Sequence, residues 1–236
     1  MVHVEALALD RRVCRAVLGL GLWLLAGLAA AQNNMGAPDY DPDAYNRNAQ
    51  FLAAAKKGDE PRARALLDRG AAINVRNRDG ETALMLFVKK GNAAMVAELV
   101  GRGADANLPA LDKTTPLMAA AYAGRADLMA VLLDAGADPH ARDQLRKNAM
   151  IYAAGAGRTE AVRLLLDRGL DVNAVYERDL TALMWAAGYG NVDTVRLLLE
   201  RGADPARVDD RGKTALAIAR DNKHAAVVEL LGGVGN

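Results

Sequence analysis

A block near Thr181, TALMWAAGYGNVDTVRLLLERGADP, recurs along this chain every 33 residues, and self-similarity at such a period sets the architecture before any single motif does. Threonine stands at Thr82, Thr115, Thr181 and Thr214, with Asn148 at the missing step. Glycine keeps two registers, Gly58, Gly91, Gly124, Gly157, Gly190 and Gly70, Gly103, Gly136, Gly169, Gly202. A unit that short cannot bury its own apolar face, so the units must stack into one elongated array rather than fold as one or two globular domains. Aromatic residues make up only 4% of the chain, which suits helices packed through alanine and leucine. The formal charge of +1 carries neither a nucleic-acid footprint nor a polybasic membrane patch.

Residues 1–31 are of another kind. Arg11, Arg12 and Arg15 precede an apolar run, AVLGLGLWLLAGLAA (16–30), that ends in Ala29-Ala30-Ala31 before Gln32. A basic flank, an apolar segment and an Ala-x-Ala boundary predict a cleaved secretory signal peptide. A retained inner-membrane anchor is the alternative, although a span usually needs about 20 apolar residues. The sole cysteine, Cys14, falls inside this segment. Cleavage would leave a chain without thiols and with equal numbers of acidic and basic side chains, safe from mispairing in an oxidising compartment.

Residues 32–46, QNNMGAPDYDPDAYN, show no apolar periodicity and contain Pro38 and Pro42, which predicts a flexible linker. Asp39, Asp41 and Asp43 alternate as in a calcium loop, but the glycine and closing glutamate of such a loop are absent. From residue 47 each period reads alike. Threonine caps a short first helix, such as 182–188, and the first glycine register permits a left-handed turn. A second helix, such as 193–200, presents Val195, Leu198 and Leu199 on one face, and the second glycine register ends it. An extended excursion then leads to the next threonine.

This pattern resembles the ankyrin repeat family. The resemblance is carried by TALMLF (82–87), TPLMAAA (115–121), TALMWAA (181–187) and TALAIA (214–219), with VRLLLDRG (162–169) and VRLLLERGADP (195–205). It implies an all-α solenoid of about six helix-turn-helix units with β-hairpin-like loops over residues 47–233, followed by a tail at 234–236. The first unit has Ala49 in place of the capping threonine and the last has Lys223 in place of glycine, as expected of terminal units whose outer faces meet water.

Several side chains need weighing. Met85, Met118 and Met184, with Ile151 between them, form a ladder at the repeat spacing and are expected in the core between units. His140 and His224 have no second histidine or cysteine at ligand spacing, so no metal site is expected. No phosphate loop, Gly-x-Ser-x-Gly elbow or His-Glu-x-x-His occurs, and serine is absent, so no catalysis and no cofactor are expected.

What remains is surface, and the resemblance implies a partner met by the hairpin tips and the exposed face of the first helices. The first-helix ends offer Lys56-Lys57, Lys89-Lys90, Tyr122, Gly155, Gly188-Tyr189 and Asp221-Asn222 in turn. The tips offer Leu111, then Leu145 and Lys147, then Tyr176 and Leu180. Tyr152 and Trp185 stand one period apart on adjacent first helices, where partial burial against the hairpins competes with an anchoring role. The expected contact set is Lys89, Lys90, Leu111, Tyr122, Leu145, Lys147, Leu180, Trp185 and Tyr189. The expected role is a periplasmic protein-binding module, monomeric in isolation, that scaffolds or protects an enzyme. An immunity or inhibitor protein acting on a toxin is the alternative, and secretion is an alternative to the periplasm. Neither nucleic acid nor, after cleavage, a membrane is an expected partner.

Overall fold

In the computed structural model the chain divides into two compact units, Met1–Asp43 and Ala44–Asn236, and residues 41–233 are described. The predicted signal peptide at 1–31, residues 32–40 of the predicted linker, and the tail lie outside the described residues. Twelve α-helices alternate along the described part. The first helix of each unit is α1 (Pro42–Lys57), α3 (Ala83–Lys90), α5 (Pro116–Ala123), α7 (Ala149–Gly155), α9 (Ala182–Gly188) or α11 (Ala215–Asp221). The second is α2 (Glu60–Asp68), α4 (Ala93–Gly101), α6 (Ala126–Asp134), α8 (Thr159–Asp167), α10 (Val192–Glu200) or α12 (Ala225–Gly232). From α3 onward, first helices pack on the first helices of neighbouring units and second helices on second helices. This is the paired, six-unit stack that the repeat implies.

The caps explain why the helices start where they do. Thr82, Thr115, Thr181 and Thr214 are extended, and each side chain accepts the N–H of the residue three places on, at 3.2–3.3 Å. Asn148 does the same for Ile151 at 3.1 Å, so the departure from threonine leaves the fourth unit helical. Such a cap contributes about 1 kcal/mol. At Thr115 the reciprocal bond is made by sulfur, its N–H donating to Met118 Sδ at 3.5 Å. Met85, Met118, Ile151 and Met184 are all buried, and Ile151 and Met184 belong to the continuous core.

The second helices are tied to the preceding unit by one recurring position. Asn92 caps its own helix through Met95 N–H at 3.0 Å and also donates to Glu60. The equivalent Arg125, Arg158, Asn191 and His224 make no side-chain cap. Instead they reach back to carbonyls at the end of the previous first helix: Gly91 O, Tyr122 O, Ala154 O with Gly155 O, and Gly188 O, at 2.8–3.1 Å. Passing those side chains close to the turn requires glycine. Gly157 has φ 66°, and a Cβ there would lie 2.7 Å from Asn191 Oδ1.

The core runs the length of the stack as a ladder of Leu66, Leu99, Leu132, Leu165, Leu198 and Leu231. Val195 and Leu198 are buried as expected; Leu197 joins them, while Leu199 is only half-buried. One expectation needs correction. Pro42–Asn46, read as linker, are the first residues of α1. Proline at a helix start loses no hydrogen bond, Asp41 Oδ1 accepts the Asp43 N–H at 2.9 Å, and burial of Phe51, Ala54 and Ala55 anchors the turns that follow. The loops are hairpin-like as expected, with one isolated antiparallel bridge among the described residues, Arg76 with Thr82. They are tight turns, each closed by a backbone N–H four residues before its acceptor: Asn77 to Glu81, Ala110 to Thr114, Asp143 to Lys147, Tyr176 to Leu180 and Asp209 to Lys213.

Candidate functional site

Neighbouring tips are joined by backbone bonds, Leu111 N–H to Asp79 O at 2.9 Å, Gln144 N–H to Asp112 O at 3.0 Å and Asp210 N–H to Arg178 O at 3.1 Å. Between the tips at 143 and 176 the link is an ion pair, Arg146 with Glu177 at 3.6 Å. The tip at 176 also departs in conformation. Asp179, at φ 57°, shares the positive φ of Gly80, Lys113, Arg146 and Gly212 at its register, but Arg178, at 61°, has no such counterpart and lies within a short 3-10 turn, Glu177–Asp179. Asparagine bridges between loops show the same interruption. Asn107 accepts Asp138 N–H and Asn173 accepts Asp204 N–H, each at 2.8 Å, whereas His140 occupies the intervening position.

Beside this irregular joint lies a groove of about 380 Å³, lined by Tyr122, Lys147, Ile151, Tyr152, Gly155, Ala156, Arg158, Trp185 and Tyr189. Tyr122 and Tyr152 meet edge to face with centroids 6.1 Å apart. Trp185 and Tyr189 stack nearly parallel at 6.0 Å. Lys147 Nζ lies between the pairs, 4.7 Å from the Trp185 centroid and 5.9 Å from that of Tyr152. Under the tip, the Tyr152 hydroxyl donates to Oδ2 of buried Asp143, whose Oδ1 accepts the Lys147 N–H at 2.8 Å. Burial, and then the bond to that carboxylate, raise the Tyr152 hydroxyl well above the ordinary tyrosine range. The phenol therefore stays protonated and holds its ring in place.

Four residues of the expected contact set, Tyr122, Lys147, Trp185 and Tyr189, come together here, with Tyr122 and Tyr189 exposed by about three-fifths. Leu180 does not line this groove. It borders a second one of about 350 Å³ with Met184, Gly188, Arg211, Ile218 and Asn222, on the other side of Trp185 and Tyr189. Leu180 was expected at a protruding tip; it is half-buried and packs against the core, and Glu81, Thr114, Lys147 and Lys213 are half-buried at the same register. Tyr176, also expected to protrude, is buried, with the Arg142 guanidinium 5.9 Å from its ring centroid. Burial raises its hydroxyl pKa above the ordinary range. Leu111 and Leu145 are exposed at their tips and line neither groove. Lys89 is held by Glu81 at 2.5 Å, and the stem of Lys90 lies over Gly58, both of them outside the grooves.

Ile151, Tyr152, Gly155, Ala156 and Arg158 line the groove without belonging to the expected contact set, although Gly155 was named on the first-helix strip. Two of them, Arg158 and Gly155, could have been found. The signal lay in the repeat itself. Arg158 holds the position that links each second helix to the unit before it, and Gly155 holds the position of Lys89, Tyr122 and Asp221. Comparing those positions across units identifies both.

The family model describing ankyrin repeats in three copies matches residues 51–143 and again 150–235. A comparison with curated proteins finds no match. Helices, caps, turns and the two matched stretches agree, and the chain belongs to the ankyrin repeat family. Such arrays are protein-binding modules, as a rule without catalysis. Among the described residues no helix is long and apolar enough to cross a membrane, and no group of three or more His, Cys, Asp or Glu could hold a metal ion.

Proposed function

We propose that this protein is a non-catalytic interaction module of the bacterial periplasm, holding a partner protein through its hairpin tips and the exposed face of its first helices as a scaffold or protective partner of an enzyme. The observation that carries the binding reading is the groove around Lys147, where two aromatic pairs stand half-open to solvent. Buried aromatic anchors dominate protein interfaces because they bring large area at small entropic cost. Tyr122 and Tyr189 stand exposed at the two sides of one groove, and contiguous exposed apolar surface marks interaction sites. The export reading rests on the basic flank, apolar run and alanine boundary of residues 1–31.

Two experiments test this. Capture from periplasmic extract with the wild-type protein and with the Tyr122→Ala, Tyr189→Ala double variant should recover a protein that the variant fails to hold. Equal recovery by both would move the interface elsewhere. Mass spectrometry of the exported protein should find Gln32 at the N-terminus, and full-length chain in washed membranes would contradict export with cleavage. If the captured partner is an enzyme, its activity should survive longer when bound; inhibition would favour an immunity role instead.

A further inference from the structure

The repeat supplies its own control for charge. In two units the last residue of the tip pairs with the residue eight places on, at the end of the following first helix. In the second unit these are Glu81 and Lys89, an ion pair at 2.5 Å. In the sixth they are Lys213 and Asp221, again an ion pair. In the fourth they are Lys147 and Gly155, so the lysine of the sixth unit is kept and its carboxylate is gone. Lys147 makes no ion pair among the described residues; its ammonium rests on the faces of Trp185 and Tyr152 instead.

We propose that a partner protein supplies that carboxylate: an acidic segment whose Asp or Glu pairs with Lys147 while a neighbouring apolar side chain enters between the Tyr122–Tyr152 and Trp185–Tyr189 pairs. This rests on the groove reading above and names the chemistry that fills it. The surroundings favour it. Arg158, the other cation of the groove, donates to Tyr122 O at 3.1 Å and makes no ion pair among the described residues. The nearby carboxylates Asp143, Asp112 and Glu177 do not line the groove. Asp143 takes the Tyr152 hydroxyl and the Lys147 N–H, Asp112 accepts Thr114 N–H at 2.9 Å, and Glu177 pairs with Arg146. The groove is lined by two cations, Lys147 and Arg158, and by no carboxylate, between aromatic walls where lower local dielectric strengthens a charge pair. At Gly155 an added Cβ would stand 3.6 Å from both the Trp185 and Tyr189 rings, so the aromatic wall borders the place the missing carboxylate would occupy. A single-stranded nucleic acid also pairs phosphates with cations and bases with rings. The even balance of charge after residue 31 and the acidic end of the first-helix strip, Asp221, favour the peptide.

Calorimetric titration of the purified protein with capped hexapeptides tests this, using a glutamate set with tyrosine nearby, the same set with glutamine, and a short oligothymidylate. The glutamate peptides should bind at least about tenfold more tightly than their glutamine counterparts. Lys147→Met should erase that difference. Gly155→Asp, which restores the carboxylate within the chain, should abolish glutamate-peptide binding without lowering the melting temperature. Equal binding of glutamate and glutamine peptides, preference for the oligothymidylate, no peptide binding up to about 1 mM, or undiminished binding by Gly155→Asp would overturn the proposal. If peptides fail while the captured partner still requires Tyr122 and Tyr189, only the acidic-segment proposal falls. A partner indifferent to both tyrosines removes the groove reading itself.

Discussion

The ammonium of Lys147 lies 4.7 Å from the centroid of the Trp185 ring, joining the tip that enters the fourth unit to the first helix of the fifth. An exposed contact of this kind contributes about 0.5–1 kcal/mol. Lys147→Met keeps the length of the side chain and removes the charge, so it should lower stability by no more than about 1 kcal/mol. Urea denaturation checks this. A loss several times larger would mean that Lys147 holds the fold rather than waiting for a partner.

Tyr152→Phe removes the hydroxyl that donates to buried Asp143. Leaving that carboxylate short of a donor should cost about 1–3 kcal/mol at neutral pH. The pH dependence has a definite sign. A tyrosine whose folded pKa is raised contributes stability that is complete below its unfolded pKa, about 10, and fades as pH rises beyond it. The wild-type advantage over Tyr152→Phe should therefore shrink above about pH 10. Urea midpoints for both proteins across that range would show it, and parallel curves would contradict it.

Asp209, two units on from the tip of Asp143, is shifted in the direction opposite to Tyr152. Burial raises its pKa, but the N–H of Lys213, the Arg211 guanidinium and the Arg211 N–H outweigh burial and hold the carboxyl below its usual range. Such a group contributes stability above the unfolded pKa, about 3.9, and loses it as pH falls through the folded value. Asp209→Asn should be less stable than wild type at neutral pH, and the gap should close as the pH drops below about 4. A gap that stays constant in acid would place the stabilisation elsewhere.

Gly157→Ala and Gly169→Ala separate strain from linkage. Both glycines have positive φ, 66° and 88°, so alanine should cost about 1–2 kcal/mol at either. At Gly169 a Cβ meets nothing within 4 Å, whereas at Gly157 it would displace Asn191 from Ala154 O and Gly155 O. Gly157→Ala should be the more damaging by roughly the two lost bonds, about 1 kcal/mol each. Equal midpoints would show that the Asn191 link carries no stability.

Most of the fold was legible because the period aligns every unit against the others. Thr181, Gly190 and Leu198 each declare a role by recurrence, and a helix such as 182–188 could be bounded from its cap and glycine alone. Recurrence says nothing where a unit departs from the rest. Arg178 is left-handed in the 3-10 turn at Glu177–Asp179 as no other described tip residue at its register is, and its type carries no turn signal. Leu180 was misplaced because the residue that ends a tip is half-buried whatever its chemistry, as Glu81, Thr114, Lys147 and Lys213 are. Pro42–Asn46 read as linker because one helical turn rich in polar residues has no periodicity to show. The groove was partly legible. Tyr122 and Tyr189 stood out as aromatic, but the meaning of Gly155 appears only once Lys147 is seen beside it without a carboxylate.

The core prediction concerns Leu198, fully buried in the ladder between second helices. Leu198→Ala should cost about 2–5 kcal/mol through lost transfer energy and a cavity. Coupling between neighbours should spread the loss across the fourth to sixth units. Hydrogen exchange resolves this by unit. A loss confined to α10 would contradict the nearest-neighbour account.

The central claim, that Tyr122 and Tyr189 face the partner, is tested most directly by the affinity of the purified partner for wild type and for the Tyr122→Ala, Tyr189→Ala variant. Both side chains are about three-fifths exposed, so the variant should keep its melting temperature. Surface plasmon resonance should then show binding weakened at least about thirtyfold, the scale of an interface hot spot. An unchanged dissociation constant in a folded variant would contradict the claim and place the interface on another face of the array.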